Sequence, residues 1–297
     1  MKILITGRGG QLVNCLVERT AGRPEFEVVA LGRTQMDLER PETLSEPIRA
    51  VGPEVVINAA AFTAVDQAED EPERARAVNV EAAGAIAAAA RESGARIIQI
   101  STDYVFDGSA EGAYSEGAPT HPLGVYGRTK CEGEARVRAE APDHLILRTA
   151  WLYSPFGKNF VRTMMQLAED RDTVSVVADQ RGNPTSAYDL ADGMIAVLEA
   201  WRHGGTGLGG TYHLAGTGIT TWAGFAEAIF DHCRALGLPA ARVEPIASVD
   251  WPARAPRPLN SALNSSRFEA DFGYCAPAWQ DSLQTVVGRL GKSLHAI

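Results

Sequence analysis

Short apolar runs alternate with longer stretches of helical spacing through the first half of the chain. The runs at 2–6, 27–31, 54–58, 96–100 and 145–148 are rich in Val, Ile and Leu and end at turn residues, the mark of strands buried on both faces. Between them, 11–19, 41–51, 73–93 and 126–139 are each long enough for a crossover helix. Strand–helix–strand alternation of this kind predicts a parallel sheet covered on both sides, so residues 1–150 read as a doubly wound α/β, Rossmann-type domain that binds a dinucleotide. After Trp151 the rhythm loosens. Strands are predicted at 173–177 and 211–214 and helices at 188–201, 222–236 and 279–290, which makes 151–297 a smaller, mainly substrate-binding domain with later segments returning to the first. The Gly-rich stretch 203–210 joins a helix to a strand, and 252–258, with three prolines in seven residues, reads as extended surface chain.

Composition narrows the function classes. Of 297 residues, 28 are Lys or Arg and 37 Asp or Glu, and the net charge of −9 argues against a nucleic-acid partner. Apolar residues make up 45% and charged residues 22%, which fits a folded chain with a large core. No run approaches the roughly 20 apolar residues of a membrane span, and the first residues reach Gly7 too soon for a signal peptide. Cys15, Cys131, Cys233 and Cys275 are far apart with no C-x-x-C pair, so a reducing, cytoplasmic setting is expected.

The first predicted strand runs directly into Gly7-Arg8-Gly9-Gly10-Gln11-Leu12 and then a helix. There a dinucleotide pyrophosphate rests on backbone N–H groups and the helix dipole, and a Cβ would block the approach. Val13 stands where the fingerprint has its third glycine, whose usual work is close helix–strand packing. At the end of the second strand, where an NAD-selective site places Asp or Glu, this chain has Arg33. That cation either pairs with a 2′-phosphate, favouring NADPH over NADH, or is a solvated surface residue. Asp37 and Leu38 are placed to cover the adenine, and Ala59-Ala60-Ala61 gives small side chains where a cofactor lies against the sheet edge.

Tyr126 and Lys130 have the Y-x-x-x-K spacing, which on a helix puts phenol and ammonium on one face. Alone the spacing is weak evidence. Upstream, Ser101-Thr102-Asp103-Tyr104 places hydroxyls at the carboxyl end of the fourth strand, where ligands bind in open α/β sheets. A free phenol has a pKa of about 10, and a neighbouring Lys⁺ is expected to lower it. Tyr126 then protonates a carbonyl oxygen as hydride arrives, Lys130 holds the nicotinamide ribose, and Thr102 holds the carbonyl oxygen in line.

These residues resemble the dTDP-4-dehydrorhamnose reductase family of extended short-chain dehydrogenases/reductases, over nearly the whole chain. The likeness is carried by Gly7-x-x-Gly10-Gln11-Leu12, the 58–69 segment from Asn58 to Glu69, Ser101-Thr102-Asp103-Tyr104-Val105-Phe106-Asp107-Gly108, Val125-Tyr126-Gly127-x-Thr129-Lys130, Arg148-Thr149-Ala150-Trp151 and Gly182-Asn183-Pro184-Thr185. The resemblance implies reduction of the C4 keto group of dTDP-4-dehydro-β-L-rhamnose by NADPH or NADH, with Thr102, Tyr126 and Lys130 as the catalytic set. It implies cofactor contacts from Gly10, Gln11, Leu12, Asp37, Leu38, Ala61, Phe62, Thr63, Tyr126 and Lys130, and substrate contacts from Thr102, Asp103 and Trp151. Arg257, in a stretch similar to the family's Arg-Pro-x-x-Ser-x-Leu, either pairs with the nucleotide diphosphate or belongs to a Pro-fixed surface loop. Ala150 replaces the family's common Ser. Some members use Mg²⁺ at a dimer contact, but no acidic cluster assigns ligands here, so no catalytic metal is expected and a homodimer is left open. Two other readings share the fold: a sister nucleotide-sugar 4-ketoreductase, and a non-catalytic protein like the methionine adenosyltransferase regulatory subunit.

Overall fold

The computed structural model describes residues 1–205 and 209–294. Its first elements are β1 (Lys2–Thr6), α1 (Gln11–Thr20), β2 (Glu27–Leu31), α2 (Ser45–Val51), β3 (Val55–Asn58), α3 (Val65–Asp70), α4 (Pro72–Arg76), α5 (Ala82–Glu92), β4 (Arg96–Thr102), α6 (Val125–Glu140) and β5 (His144–Thr149). Then follow β6 (Leu152–Tyr153), α7 (Phe160–Asp170), β7 (Thr173–Val177), β8 (Arg181–Gly182), β9 (Thr185–Ser186), α8 (Ala187–Arg202), β10 (Gly210–His213), β11 (Thr220–Thr221), α9 (Trp222–Ala235), β12 (Arg242–Ile246), α10 (Ser266–Phe272) and α11 (Trp279–Leu294).

Six parallel strands pair in the order β10-β5-β4-β3-β1-β2. Their side chains alternate between two apolar layers. Ile3, Ile5, Val55, Ile57, Ile98, Leu145 and Leu147 face the layer shared with α1 and α8, while Leu4, Val56, Ile97 and Ile146 face the layer shared with α5 and α6. The near-continuous apolar runs read in the sequence follow from this double burial. Strand order reverses between β1 and its neighbours β2 and β3, and such a switch point opens a crevice at the strands' carboxyl ends.

The strand expected at 211–214 is β10, which extends the main sheet beside β5. Residues 206–208 of the expected 203–210 connection lie outside the described residues. The remaining strands form two-stranded pairs: β12 with β7 and β11 with β8 beside α9, and β6 with β9 beside α8 and α11.

Two expected helices are broken. The 41–51 stretch is a 3₁₀ turn at Pro41–Thr43 followed by α2. The 73–93 stretch is α4, a π-helical turn at Ala77–Glu81, and α5. The π-turn has a local reason. It carries buried Asn79, whose Oδ1 accepts from the Phe62 N–H at 2.9 Å and whose Nδ2 donates to the Phe62 carbonyl at 3.2 Å and to Thr129 Oγ1 at 3.1 Å. One side chain thus ties the loop after β3 to α6, and such local widenings of a helix recur at functional sites.

Candidate active site

The cofactor end is built from β1 and β3. Thr6 Oγ1 donates to Asn58 Oδ1 at 2.7 Å and accepts from the Ala60 N–H at 3.0 Å, which pins the two strand ends together at the switch point. Gly7 then turns with φ +96°, a conformation that side-chain-bearing residues rarely adopt. Gly10 is the N-cap of α1 and offers no side-chain acceptor, and no acidic residue sits in the first turn. The opening N–H groups of α1 are therefore available to an anion, and the residues fit a dinucleotide pyrophosphate. Val13, at the missing third glycine, is buried, with Cγ2 3.7 Å from where a Cβ on Gly7 would sit; it fills the helix–strand gap that glycine would leave narrower.

A cavity of about 310 Å³ lies beside this turn, lined by Gly7, Arg8, Arg33, Asp37, Leu38, Glu39, Ala61, Phe62 and Arg74 among others. Arg33 is 63% exposed at the cavity and is held by two carboxylates. Its Nη2 donates to Glu39 Oε1 at 2.7 Å and its Nε lies 3.4 Å from Asp37 Oδ1, while Arg74 Nε holds the same Glu39 oxygen at 2.8 Å. Asp37, expected to accept from adenine, faces Arg33 and accepts from the Glu39 N–H. Arg8, unremarked in the sequence, packs its Cβ 3.0 Å from the Cβ position of Gly32 and makes no ion pair among the described residues. The Gln11 side chain turns away from the cradle, with Oε1 accepting from Ser154 and Asn159, so only its backbone faces an anion. Leu12 is core, and Thr63 is exposed and does not line the cavity.

The chemical end lies where β4 meets α6. Thr102, the last residue of β4, is 5% exposed; its Oγ1 donates to Asp103 Oδ1 at 2.9 Å and accepts from the Tyr104 N–H at 3.2 Å. Tyr126 is the second residue of α6, and its ring meets the Tyr104 ring edge-on at 5.6 Å. Gly127 permits that approach, because a Cβ there would stand 2.2 Å from the Tyr104 carbonyl oxygen. Gly127→Ala is expected to cost about 1–3 kcal/mol of stability, since backbone presses on backbone and no rotamer relieves it, and to displace Tyr126; a urea midpoint and kcat measured together check both effects.

Burial pushes the Tyr126 phenol up to about 12, with the adjacent Thr102 hydroxyl opposing. The expected lowering by Lys130 is absent. Lys130 Nζ instead donates to the Ile100 carbonyl at 2.7 Å, and burial pushes it down to about 8 against the pull of Glu134. Behind it, Glu134 accepts from Ser101 Oγ (2.6 Å), Arg148 Nε (2.8 Å), Arg148 Nη2 (2.7 Å) and Arg138 Nη2 (2.8 Å). Although burial acts to raise it, these donors hold the Glu134 carboxyl below its usual range. His213 lies 3.4 Å from Arg148 and 3.0 Å from the Tyr114 carbonyl; burial and the Arg148 charge push it down to about 3, so it is neutral.

The opposite wall is aromatic. Trp151 follows β5 with φ 45° and is the single non-glycine residue with positive φ among the described residues. Its indole stacks on Trp222 at 3.6 Å, donates to Ser261 Oγ at 3.2 Å, and covers Gly182, where a Cβ would come within 2.5 Å of the ring. Arg257 is engaged within the protein. Its Nη2 donates to Asp66 Oδ2 at 2.8 Å, and the 252–258 segment crosses to α3, with the Ala255 N–H on Asp66 Oδ1 and Arg254 on Asp70. The Arg-Pro stretch is therefore surface chain, exposed at Pro252, Ala253, Arg254 and Pro256, that is strapped to α3.

Sheet order, a glycine turn capping α1 at the switch point, and a hydroxyl, a phenol and an ammonium beyond β4 define an extended short-chain dehydrogenase/reductase. The chain belongs to the family described as RmlD substrate binding domain, whose profile matches residues 1–291. It is 40% identical over 291 residues to the dTDP-4-dehydrorhamnose reductase of Sinorhizobium fredii, covering 98% of both chains. Among solved structures it resembles a dTDP-4-dehydrorhamnose reductase from Clostridium acetobutylicum (TM-score 0.91, 38% identity, 98% of this chain and 99% of that one). It also resembles the Bacillus anthracis dTDP-4-dehydrorhamnose reductase in complex with NADP (TM-score 0.89, 32% identity, 97% and 99%). Among the described residues no group of three or more His, Cys, Asp or Glu is placed to hold a metal ion, and no helix is long and apolar enough to cross a membrane.

Proposed function

We propose that this chain reduces the C4 keto group of dTDP-4-dehydro-β-L-rhamnose with NADPH, giving dTDP-β-L-rhamnose. The reading rests on one arrangement: Thr102, Tyr126 and Lys130 gathered beyond β4, two strands from the glycine turn at the end of β1. The relatives' shared name supports the substrate, and the NADP complex of the Bacillus anthracis relative supports the cofactor.

NADPH, when bound, supplies hydride to the carbonyl carbon. Gly7, Gly10 and the backbone of Gln11 and Leu12 would hold the pyrophosphate, and Ala61 and Phe62 would border the adenosine. Tyr126 Oη donates its proton to the C4 oxygen, and its high pKa keeps it a phenol at neutral pH. Thr102 Oγ1 steadies the same oxygen. Lys130 spends one of three N–H donors on Ile100 and has two for ribose hydroxyls. Asp103 and the Trp151 indole border the sugar, and Arg257, fastened to Asp66, guards the nucleotide side. Four free cysteines suit a reducing cytoplasm.

Arg33 and Arg8 together are the 2′-phosphate partners, with Glu39 and Asp37 holding Arg33 in wait. Arg33→Ala is expected to weaken NADPH about tenfold and NADH little, as one charge-assisted contact is worth roughly 1.5 kcal/mol. Arg8→Ala is expected to do the same, and fluorescence titration of each variant with both cofactors checks this; equal losses for NADPH and NADH would reject the assignment. The activity itself is tested by NADPH oxidation on dTDP-4-dehydro-L-rhamnose made in situ, with NMR of the product sugar. Rhamnose is the expected product, another epimer would move the chain to a sister reductase, and no turnover would overturn the reading.

A further inference from the structure

Asp103 is 3% exposed and lies next to the catalytic hydroxyl. Thr102 has one hydrogen to give, and in this structure it points along the 2.9 Å contact to Asp103 Oδ1. The Tyr104 N–H takes one acceptor site of Thr102 Oγ1, and the Tyr126 phenol lies beside the same oxygen. The other carboxylate oxygen, Asp103 Oδ2, is buried without a hydrogen-bond partner. Ser261 Oγ, which accepts from the Trp151 indole N–H and lies 3.4 Å from the Arg181 carbonyl, is the hydroxyl that acts on this carboxylate from the far side. An unpartnered buried carboxylate oxygen is costly, and a bound proton removes that cost.

We infer that Asp103 is a positioning residue whose protonation sets the direction of the Thr102 hydroxyl. Ionised, it claims the Thr102 hydrogen, so that hydrogen runs away from the cleft and the substrate oxygen loses its second donor beside Tyr126. Protonated, it donates to Thr102 Oγ1, whose second acceptor site is filled by Tyr104, and the Thr102 hydrogen turns to the substrate oxygen. The reduction-competent state is then the acid form. This rests on the reductase reading given above.

The surroundings agree with a group that titrates near neutrality. Desolvation pushes Asp103 up to about 6, with the Ser261 and Thr102 hydroxyls pulling it back. The titratable groups that act with it are Tyr104 in its own turn and Tyr126 on α6, and Arg257, whose guanidinium goes to Asp66, stands on the far side of Tyr104. Among the described residues none forms an ion pair with Asp103.

The test compares kcat/KM for sugar reduction from pH 5 to 9 in the full chain and in Asp103→Asn, whose amide can donate to Thr102 but cannot titrate. Expected is a wild-type fall of tenfold per pH unit above an inflection near 6, and in D103N a profile flat to within twofold between pH 5.5 and 7.5. A wild-type profile without that inflection, an inflection retained in D103N, or a loss in D103N that is equal at every pH would overturn the inference. The carboxyl is also read without turnover, by infrared difference against D103N. A protonated carboxyl band at pH 5 that disappears by pH 7.5, and that persists to higher pH in Thr102→Ala, is expected. A band absent at pH 5, or unmoved by T102A, would overturn the coupling even if the proposed substrate proved wrong.

Discussion

Tyr126→Phe is expected to lower kcat by about 10²–10⁴ while leaving the affinity for NADPH within about twofold. The change removes one oxygen and nothing else from the packing: the ring keeps its edge-on contact with Tyr104 at 5.6 Å, and Gly127 still brings the two segments together. What is lost is the phenol hydroxyl that acts on Thr102 and has a proton to give the substrate oxygen. Thr102 and the bound geometry remain, which is why the expected loss stops short of total. Single-turnover NADPH oxidation separates the chemical step from product release, and a fluorescence titration reads cofactor affinity. An unchanged single-turnover rate would remove Tyr126 from the chemistry, and a matching loss of NADPH affinity would make it a cofactor contact.

The parts of this site that the sequence disclosed are those set by local spacing. A glycine turn after a first strand, four residues between a phenol and an ammonium, and a hydroxyl at a strand end each lie within a dozen residues, and their roles follow from one helix or one turn. Asp66 and Arg257, by contrast, are 191 residues apart, so nothing in either segment announces that the Pro-rich stretch is strapped to α3. Trp151 on Trp222 is the same case, joined across two elements that share no pattern. Asn79 carried a faint signal, a polar residue at the mouth of an Ala-rich helical run, yet its effect, a π-turn that clasps Phe62, depends on α6 arriving from the other side. The Lys130 ammonium illustrates a different gap. Spacing placed it on the right face, but which acceptor it meets is decided by how closely α6 packs on β4, and that acceptor is Ile100. Two-residue strands such as β6, β8, β9 and β11 are too short to show any period.

The residue that makes such a buried ammonium tolerable is Glu134, and its removal is the second large effect. Glu134 is 1% exposed and holds buried Arg148 through two parallel hydrogen bonds, with Ser101 and Arg138 completing its shell. In Glu134→Gln the amide presents donors where guanidinium donors already stand and leaves the Arg148 charge uncompensated, at an expected cost of about 3–5 kcal/mol. Arg148→Met is expected to cost a similar amount, and the double variant E134Q/R148M less than the sum, because neither charge is then orphaned. Urea midpoints of the four proteins test this, and strict additivity would show that the pair does not act as a unit. The pH dependence of the rate gives an independent reading. Glu134 raises the Lys130 pKa, which burial has brought to about 8, so removing the carboxylate lowers it further. Lys130 then loses its charge at lower pH, and in the D103N background, where the fall near pH 6 is removed, the alkaline fall of kcat is expected to begin closer to neutrality with E134Q than without it. An alkaline limb that stays in place would mean that Lys130 is not the group that titrates there.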